Sequence, residues 1–278
     1  MTTSSRAEHF VTATGLATLL AGPRPPVVLD VRNQNGIPDG RPEYQAGHIP
    51  GAVYVDLPTE LQGAPEGFSG ARPLPPIDQL QERARAWGIS PGDPVVVYDN
   101  VSGTKAGRAW FVLRWAGLES VRLLDGGYQA WLRGGHPVST AESAPAPGDV
   151  VLSPGHLPVL DAGQAAAYAT RGQLYDARGQ GQFAEGHIPG AFAAPTTGNL
   201  DPAGLLKDEQ ALRDRFAGLG IDGSHPVGVY CGGGVAGAHE LAVLASLGLP
   251  AALFVGSFSA WSSDPARPVE TGPAQAAS

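Results

Sequence analysis

Cysteine and long apolar runs are both scarce in this chain, and each scarcity excludes a class of protein. The 278 residues include one cysteine, which rules out an intramolecular disulfide and any metal site built from several cysteines. No apolar run approaches the roughly 20 residues that a membrane-spanning helix needs. The first residues are not followed by the apolar stretch of a secretory signal. The default expectation is therefore a soluble, cytoplasmic protein.

Positive charge is scarce as well. The chain has 18 lysine and arginine residues against 26 aspartate and glutamate residues, so its net charge is −8. This surplus of negative charge argues against binding to nucleic acid or to an anionic membrane surface. Lysine is rarer than arginine, since the chain has only two lysines, Lys105 and Lys207. Together with the abundant glycine and proline, this preference for arginine suggests a bacterial source with a GC-rich genome.

The single cysteine, Cys231, opens a glycine-rich turn. Apolar residues 227–230 before it indicate a buried strand, and residues 238–247 after it have the spacing of a helix. At such a turn, successive backbone N–H groups and the helix dipole can stabilise one anion, so the thiol should exist partly as the nucleophilic thiolate. The alternative is a buried, inert cysteine, which would explain neither the glycines at 232–234 nor the helix start.

Four landmarks occur twice in the same order, which indicates two copies of one domain. They are an Asp-x-Arg triplet, the segment Gly-His-Ile-Pro-Gly-Ala, an apolar valine-containing run and a glycine-containing turn that leads to tryptophan. The landmarks lie at 30–32, 47–52, 95–99 and 124–131 in the first copy and at 176–178, 186–191, 227–231 and 255–261 in the second. Asp99 therefore takes the position in the first copy that Cys231 has in the second.

Each copy alternates short apolar runs with segments of helical spacing. This pattern is typical of an α/β domain whose parallel sheet is flanked by helices on both faces. We predict a first domain over 8–139, an alanine-, proline- and serine-rich linker over 140–157, and a second domain over 158–270. The functional crevice of such sheets lies at the carboxyl ends of the strands, where both Asp99 and Cys231 fall.

Jointly, these motifs make the chain resemble the rhodanese family in its tandem two-domain form. The most specific are the two Gly-His-Ile-Pro-Gly-Ala segments, Leu-Asp-Gly-Gly at 124–127 and Tyr-Cys-Gly-Gly-Gly-Val at 230–235. The family includes thiosulfate and 3-mercaptopyruvate sulfurtransferases, which carry sulfur as a cysteine persulfide in the second domain. The resemblance implies that Cys231 is the carrier. It also implies that the first domain is inactive, because the carboxylate of Asp99 cannot carry sulfane sulfur.

The implied reaction is ping-pong. The Cys231 thiolate takes sulfur from a small anionic donor, and an acceptor such as cyanide or a thiol removes it, with no metal or organic cofactor. The anionic sulfur would be stabilised by the backbone N–H groups of Gly232, Gly233, Gly234, Val235 and Ala236. A thioredoxin-like reductant or a persulfide-bearing protein could act as a partner.

Two departures from the family pattern leave the donor open. In mercaptopyruvate-type members a loop serine, a histidine and an aspartate form a relay; His48 and Asp39 match the last two, but Gly233 replaces the serine. Such a histidine could equally bond the backbone of its own loop. The donor-binding arginine is replaced by Gln182, and a neutral amide cannot grip a carboxylate or sulfonate bidentately with charge. The cations that could substitute are Arg72, Lys105 and His239.

Other polar residues of the motifs are expected to be structural. Arg32 and Arg178 should form ion pairs with Asp30 and Asp176 and brace loops. Arg108 lies on a helix of amphipathic spacing, so we expect it to brace the first domain rather than to bind substrate.

Three rival functions are weighed against sulfur transfer. A cysteine-dependent phosphatase of this fold needs an arginine six residues after the cysteine, and Gly237 stands there instead. A non-catalytic binding module is disfavoured by the intact cysteine loop. A persulfide relay dedicated to one partner protein would fit the loss of the donor-binding arginine.

Overall fold

Two parallel sheets of five strands, one from each half of the chain, organise the computed structural model, which describes residues 6–32 and 39–273. The strands of the first sheet are β1 (Phe10–Val11), β2 (Val27–Asp30), β3 (Val53–Tyr54), β4 (Val95–Tyr98) and β5 (Val121–Leu124). Those of the second are β6 (Val159–Leu160), β7 (Leu174–Asp176), β8 (Phe192–Ala193), β9 (Val227–Tyr230) and β10 (Ala251–Phe254). Their orders, β1-β5-β4-β2-β3 and β6-β10-β9-β7-β8, are equivalent, which confirms the predicted tandem α/β fold.

Helices connect the strands and cover both faces of the sheets. The helices of the first half are α1 (Arg6–His9), α2 (Ala13–Leu20), α3 (Arg41–Ala46), α4 (Leu57–Glu60), α5 (Ile77–Ala86), α6 (Ala106–Trp115) and α7 (Gly127–Arg133). Those of the second are α8 (Ala162–Thr170), α9 (Gln180–Glu185), α10 (Glu209–Gly218), α11 (Ala236–Ser246) and α12 (Ser257–Ser263), with a 3-10 helix at Thr196–Asn199. In the described ranges, no helix has both the length and the apolar character needed to cross a membrane.

Successive side chains of the central strands point to opposite faces of the sheet, and they pack against different helices on each face. Val96 of β4 packs in one core with Leu16 of α2 and Trp131 of α7. Its neighbour Val97 belongs to a second core, which also contains Leu80 of α5. Successive strand residues face opposite sides of a sheet, so one run of valines contributes to two cores.

The second of these cores is continuous between the two halves, because α6 packs against α11. Gly107 of α6 lies directly on the backbone of His239 in α11, where an added methyl group would stand 2.8 Å from the His239 Cα. Residues 106–113 of α6 are all buried. The amphipathic character expected of this helix is therefore wrong, since α11 rather than water covers its outer side.

The segment expected to be a linker over 140–157 packs along the first half for much of its length. The Gly148 N–H donates to the Arg85 carbonyl, and the Val150 N–H donates to the Ile89 carbonyl. Val150 is also buried in the shared core. The domain boundaries drawn from composition stay predictions, but this part of the chain is fixed to the first half by backbone hydrogen bonds and apolar contact.

Because α6 and α11 cross so closely, we predict that a Gly→Ala substitution at the crossing destabilises the protein more than one elsewhere. We expect Gly107→Ala to lower the free energy of unfolding by about 1–2 kcal/mol, because overpacking outweighs the gain in helix propensity. Gly218→Ala in α10 is the control, since no atom lies within 4 Å of its added methyl group. Chemical denaturation of both variants measures the difference, and a Gly107→Ala protein as stable as the control would contradict this packing.

Candidate active site

Cys231 follows directly on β9, and the glycine loop after it leads into α11. The residue is 2% exposed, and its Sγ accepts hydrogen bonds from the N–H groups of Gly234 at 3.1 Å and Val235 at 3.2 Å. Gly234 has a φ of 73°, a conformation that favours glycine and lets the backbone curl around the sulfur. The strand-to-helix turn predicted from the sequence is therefore present.

The five loop residues predicted to solvate the sulfur divide into two groups. Of these five residues, Gly234 and Val235 donate their N–H groups to Sγ, and the Ser257 Oγ lies 3.8 Å from the same sulfur. Gly232, Gly233 and Ala236 line the adjoining cleft instead. Gly234 and Val235 therefore bond the sulfur directly, whereas Gly232, Gly233 and Ala236 form part of the cleft wall.

Ser257, which was not predicted from the sequence, forms hydrogen bonds that hold the cysteine loop in place. Its Oγ accepts hydrogen bonds from the N–H groups of Cys231 at 3.1 Å and Gly234 at 3.0 Å and donates to the Phe254 carbonyl at 2.9 Å. Ser257 is fully buried and has a φ of 55°. Ser257 occupies the position that Gly127 has in the first copy. A serine at a position that favours glycine could therefore have indicated its role from the sequence.

The equivalent loop of the first half is occupied by its own carboxylate. Asp99 is fully buried at the end of β4, and its two oxygens accept four backbone N–H bonds of 2.7–2.8 Å. The donors are Val101, Gly103, Lys105 and Ala106. Burial raises the pKa of Asp99, and the four N–H bonds act in the opposite direction. The donors that solvate sulfur in the second half are thus used internally in the first.

A cleft of about 460 Å³ opens beside Cys231 and is lined by both halves of the chain. The first half contributes Leu57, Pro58, Arg72, Thr104 and Lys105. Besides the cysteine loop, the second half contributes Ala177, Arg178, Gly179, Gln182, Thr196 and Thr197. Among the residues singled out from the sequence, the structure therefore brings Arg72, Lys105 and Gln182 together with the thiol.

Two cations from the first half face this cleft. Arg72 lies over the cysteine loop, where a methyl group on Gly233 would be 3.1 Å from its Nη1. Within residues 6–32 and 39–273, no carboxylate forms an ion pair with Arg72. Lys105 is half-buried just before α6; burial lowers its pKa, while the nearby Asp99 acts to raise it. Two positively charged side chains of the first half therefore lie close to the cysteine loop of the second half.

Arg178 also reaches the cleft, but its charge is compensated. Its Nη2 donates to Asp176 at 2.6 Å and to the Gly186 carbonyl at 2.6 Å. In the first half, Arg32 forms the same kind of pair with Asp30 at 2.7 Å. The loop-bracing ion pairs predicted from the sequence are confirmed.

The relay of His48 and Asp39 is not assembled at the cysteine loop. His48 is fully buried, and its ring nitrogens contact the carbonyl oxygens of Tyr44 at 2.7 Å and Ala141 at 3.0 Å. Asp39 accepts hydrogen bonds from the Arg41 N–H and from a tyrosine hydroxyl in a separate surface groove. Both residues therefore hold local structure in the first half.

His239 cannot serve as the substitute cation proposed from the sequence. It is 1% exposed between α6 and α11, and its Nδ1 lies 2.7 Å from the Thr196 hydroxyl oxygen. Burial lowers the pKa of His239 to about 4, so the ring is neutral at physiological pH. The helix rotation that buries His239 in the domain boundary could not be read from its position after the cysteine loop.

Comparison with known proteins places both halves in one family. The model described as "Rhodanese-like domain" matches residues 12–133 and 161–264. A putative thiosulfate sulfurtransferase, SseB of Mycobacterium tuberculosis, is 40% identical over 97% of this chain and 99% of its own. A probable 3-mercaptopyruvate sulfurtransferase of Pseudomonas aeruginosa is 40% identical over 95% of this chain and 98% of its own.

A solved structure gives the same picture. The crystal structure of SseA from Escherichia coli, described as a 3-mercaptopyruvate sulfotransferase, superposes with a TM-score of 0.79 at 30% identity. The match covers 90% of this chain and 98% of that one. The likeness therefore extends through both halves of the chain.

The hydroxyl of Ser257 should be required for an ordered cysteine loop. Ser257→Gly keeps the positive φ but leaves the N–H groups of Cys231 and Gly234 without their shared acceptor, so we expect a loss of about 1–3 kcal/mol in unfolding free energy. The matched control is Ser102→Gly, because Ser102 also has a positive φ of 60° and its hydroxyl forms no hydrogen bond within the described residues. Equal stability of the two variants by chemical denaturation would contradict this role.

Proposed function

The chain belongs to the rhodanese family, and we propose that it is a sulfurtransferase that carries sulfane sulfur on Cys231 from a small donor, thiosulfate or 3-mercaptopyruvate, to a thiophilic acceptor. The observation that carries the proposal is the geometry of the thiol. A buried sulfur held by two N–H donors at the wall of a cleft is a stabilised nucleophile with access to one side.

The first half-reaction loads the cysteine. The thiolate of Cys231 attacks the outer sulfur of thiosulfate, the S–S bond of the donor breaks, and sulfite leaves with the bonding electrons. With 3-mercaptopyruvate the C–S bond breaks, and the pyruvate enolate that leaves takes up a proton. Either donor leaves a persulfide on Cys231.

The second half-reaction unloads the persulfide. Cyanide or a thiol attacks the outer sulfur, the new S–S bond breaks, and the Cys231 thiolate is restored. The N–H groups of Gly234 and Val235 favour this step, because they stabilise the negative charge that returns to Sγ. We include a small thiol or a thioredoxin-like reductant among the acceptors that could enter the cleft.

The donor must be anionic in this proposal, and its charge is held mainly by the first domain. Gln182 lines the cleft but carries no charge, whereas Arg72 and Lys105 face the same space. A carboxylate or sulfonate there would gain charge-assisted hydrogen bonds that an amide does not provide. Arg72 is the stronger candidate, because its guanidinium lies directly over the cysteine loop.

Intact mass spectrometry tests the carrier. We expect the reduced protein to gain one sulfur atom when it is incubated with thiosulfate or 3-mercaptopyruvate, and to lose it again with cyanide. Cys231→Ser should show no gain and no thiocyanate formation, since a hydroxyl cannot form a persulfide. Full thiocyanate formation by Cys231→Ser would refute the proposal.

Steady-state kinetics test the donor-binding cation. We expect Arg72→Gln to lower kcat/KM for the anionic donor by roughly tenfold or more through KM, because a hydrogen bond to a charged group is worth about 1.5–3 kcal/mol. Arg24→Gln is the control, as Arg24 is a surface arginine that contacts the Gly92 carbonyl. An unchanged KM in Arg72→Gln would assign donor binding to other groups of the cleft.

A further inference from the structure

Arg108 is a completely buried arginine without a carboxylate partner in the described part of the chain. Among residues 6–32 and 39–273, its guanidinium donates to four backbone carbonyls. They belong to Leu61 at 3.1 Å, Arg72 at 3.1 Å, Pro73 at 2.9 Å and Gly234 at 3.4 Å. Three of these carbonyls lie in the first domain, whereas the fourth belongs to the cysteine loop of the second. Arg108 therefore joins the domains at the loop itself.

A buried cation with no counter-ion is costly unless an anion lies within reach. Burial lowers the pKa of Arg108 to about 10, and the negative charge of Cys231 acts to raise it. The guanidinium thus remains charged at neutral pH. Four backbone carbonyl dipoles solvate the cation, and one of them belongs to the loop that holds the cysteine sulfur.

The contact between Arg108 and the sulfur runs through one peptide group. The Gly234 carbonyl that accepts from Arg108 and the Val235 N–H that donates to Sγ belong to the same planar amide. A cation at a carbonyl oxygen draws electron density toward it, which makes the N–H at the other end a stronger donor. Positive charge from α6 therefore strengthens the hydrogen bond that holds the sulfur.

We propose that Arg108 of the first domain is a positioning residue for sulfur transfer, which stabilises the anionic sulfur of Cys231 through the Gly234–Val235 peptide. The persulfide part of this inference rests on the proposed function, whereas the thiolate part does not. Because Arg108 does not line the cleft, its effect should fall on the reactivity of the sulfur and not on donor binding.

The other charged groups near the loop act from different directions. Arg72 and Lys105 face the cleft, and Arg178 is paired with Asp176. On α11, His239 is neutral and the buried Glu240 accepts a hydrogen bond from Asn199 at 2.6 Å, with Arg215 3.8 Å away. Arg108 alone among these bonds the peptide that donates to the sulfur, so its replacement should produce an effect that theirs does not.

The test is the pH dependence of Cys231 alkylation in the full-length protein. Iodoacetamide is the probe, because it is uncharged and reports the thiolate without a donor. We expect Arg108→Met to move the midpoint of the rate profile to higher pH and to slow alkylation at pH 7 roughly tenfold, which corresponds to about one pH unit. Arg108→Lys, which keeps the charge, should restore much of the rate.

A structural disturbance of the same interface needs its own control. Gly107→Ala stresses the contact between α6 and α11 but leaves the guanidinium in place, so its alkylation midpoint should match that of the unmodified protein. If Arg108→Met fails to fold, as judged by circular dichroism, the comparison of Arg108→Lys and Arg108→Gln carries the test. A folded neutral variant with an unchanged midpoint would overturn the proposal.

Steady-state kinetics separate this inference from the proposed function. Arg108→Met should lower kcat while leaving KM for the donor near its original value, the reverse of the pattern expected for Arg72→Gln. A protein that transfers no sulfur but shows the alkylation shift would refute the function and keep the role of Arg108 toward the thiolate. Sulfur transfer together with an unchanged alkylation midpoint in Arg108→Met would support the proposed function and refute the role of Arg108.

Discussion

In each domain, the side chain that follows a central parallel strand is buried and accepts N–H bonds from the loop after it. A buried anion has lost its water, so the backbone must supply the donors that solvate it. Asp99 takes four such bonds, whereas Cys231 takes two from Gly234 and Val235. In the first domain the N–H groups of the loop are bonded to the carboxylate of Asp99. In the second domain the equivalent loop leaves the cysteine sulfur beside a cleft.

The two cradles are coupled because the helices that begin at them, α6 and α11, pack against each other. Gly107 permits the close approach, and His239 is buried by it. This crossing brings Lys105 to the cleft and Arg108 behind the cysteine loop. The domain without a cysteine is thus a structural part of the site, and the second domain by itself would lack several of its cations.

In the cleft, a neutral side chain and a cation from the opposite domain line the same space. Gln182 stands where family members carry an arginine, and it lines the cleft as a neutral group. Arg72 comes from a loop of the opposite domain and lies over Gly233. Recognition of an anion depends on where charge stands in space, so cations from unrelated segments can serve the same ligand.

The local features of this protein could be predicted from its residues: the repeat, the α/β pattern, the strand-to-helix turn at Cys231 and the ion pairs of Arg32 and Arg178. Each depends on residues close together in the chain, where spacing and backbone preference act directly. Which distant residues lie near the sulfur depends on tertiary packing. His48, Asp39 and His239 lie outside the cleft, Arg72 and Lys105 line it, and Ser257 and Arg108 bond the cysteine loop. The burial of His239 and the positions of Lys105 and Arg108 follow from the packing of α6 on α11. No local pattern encodes that packing, because the burial and direction of a side chain are set by the surface that it meets.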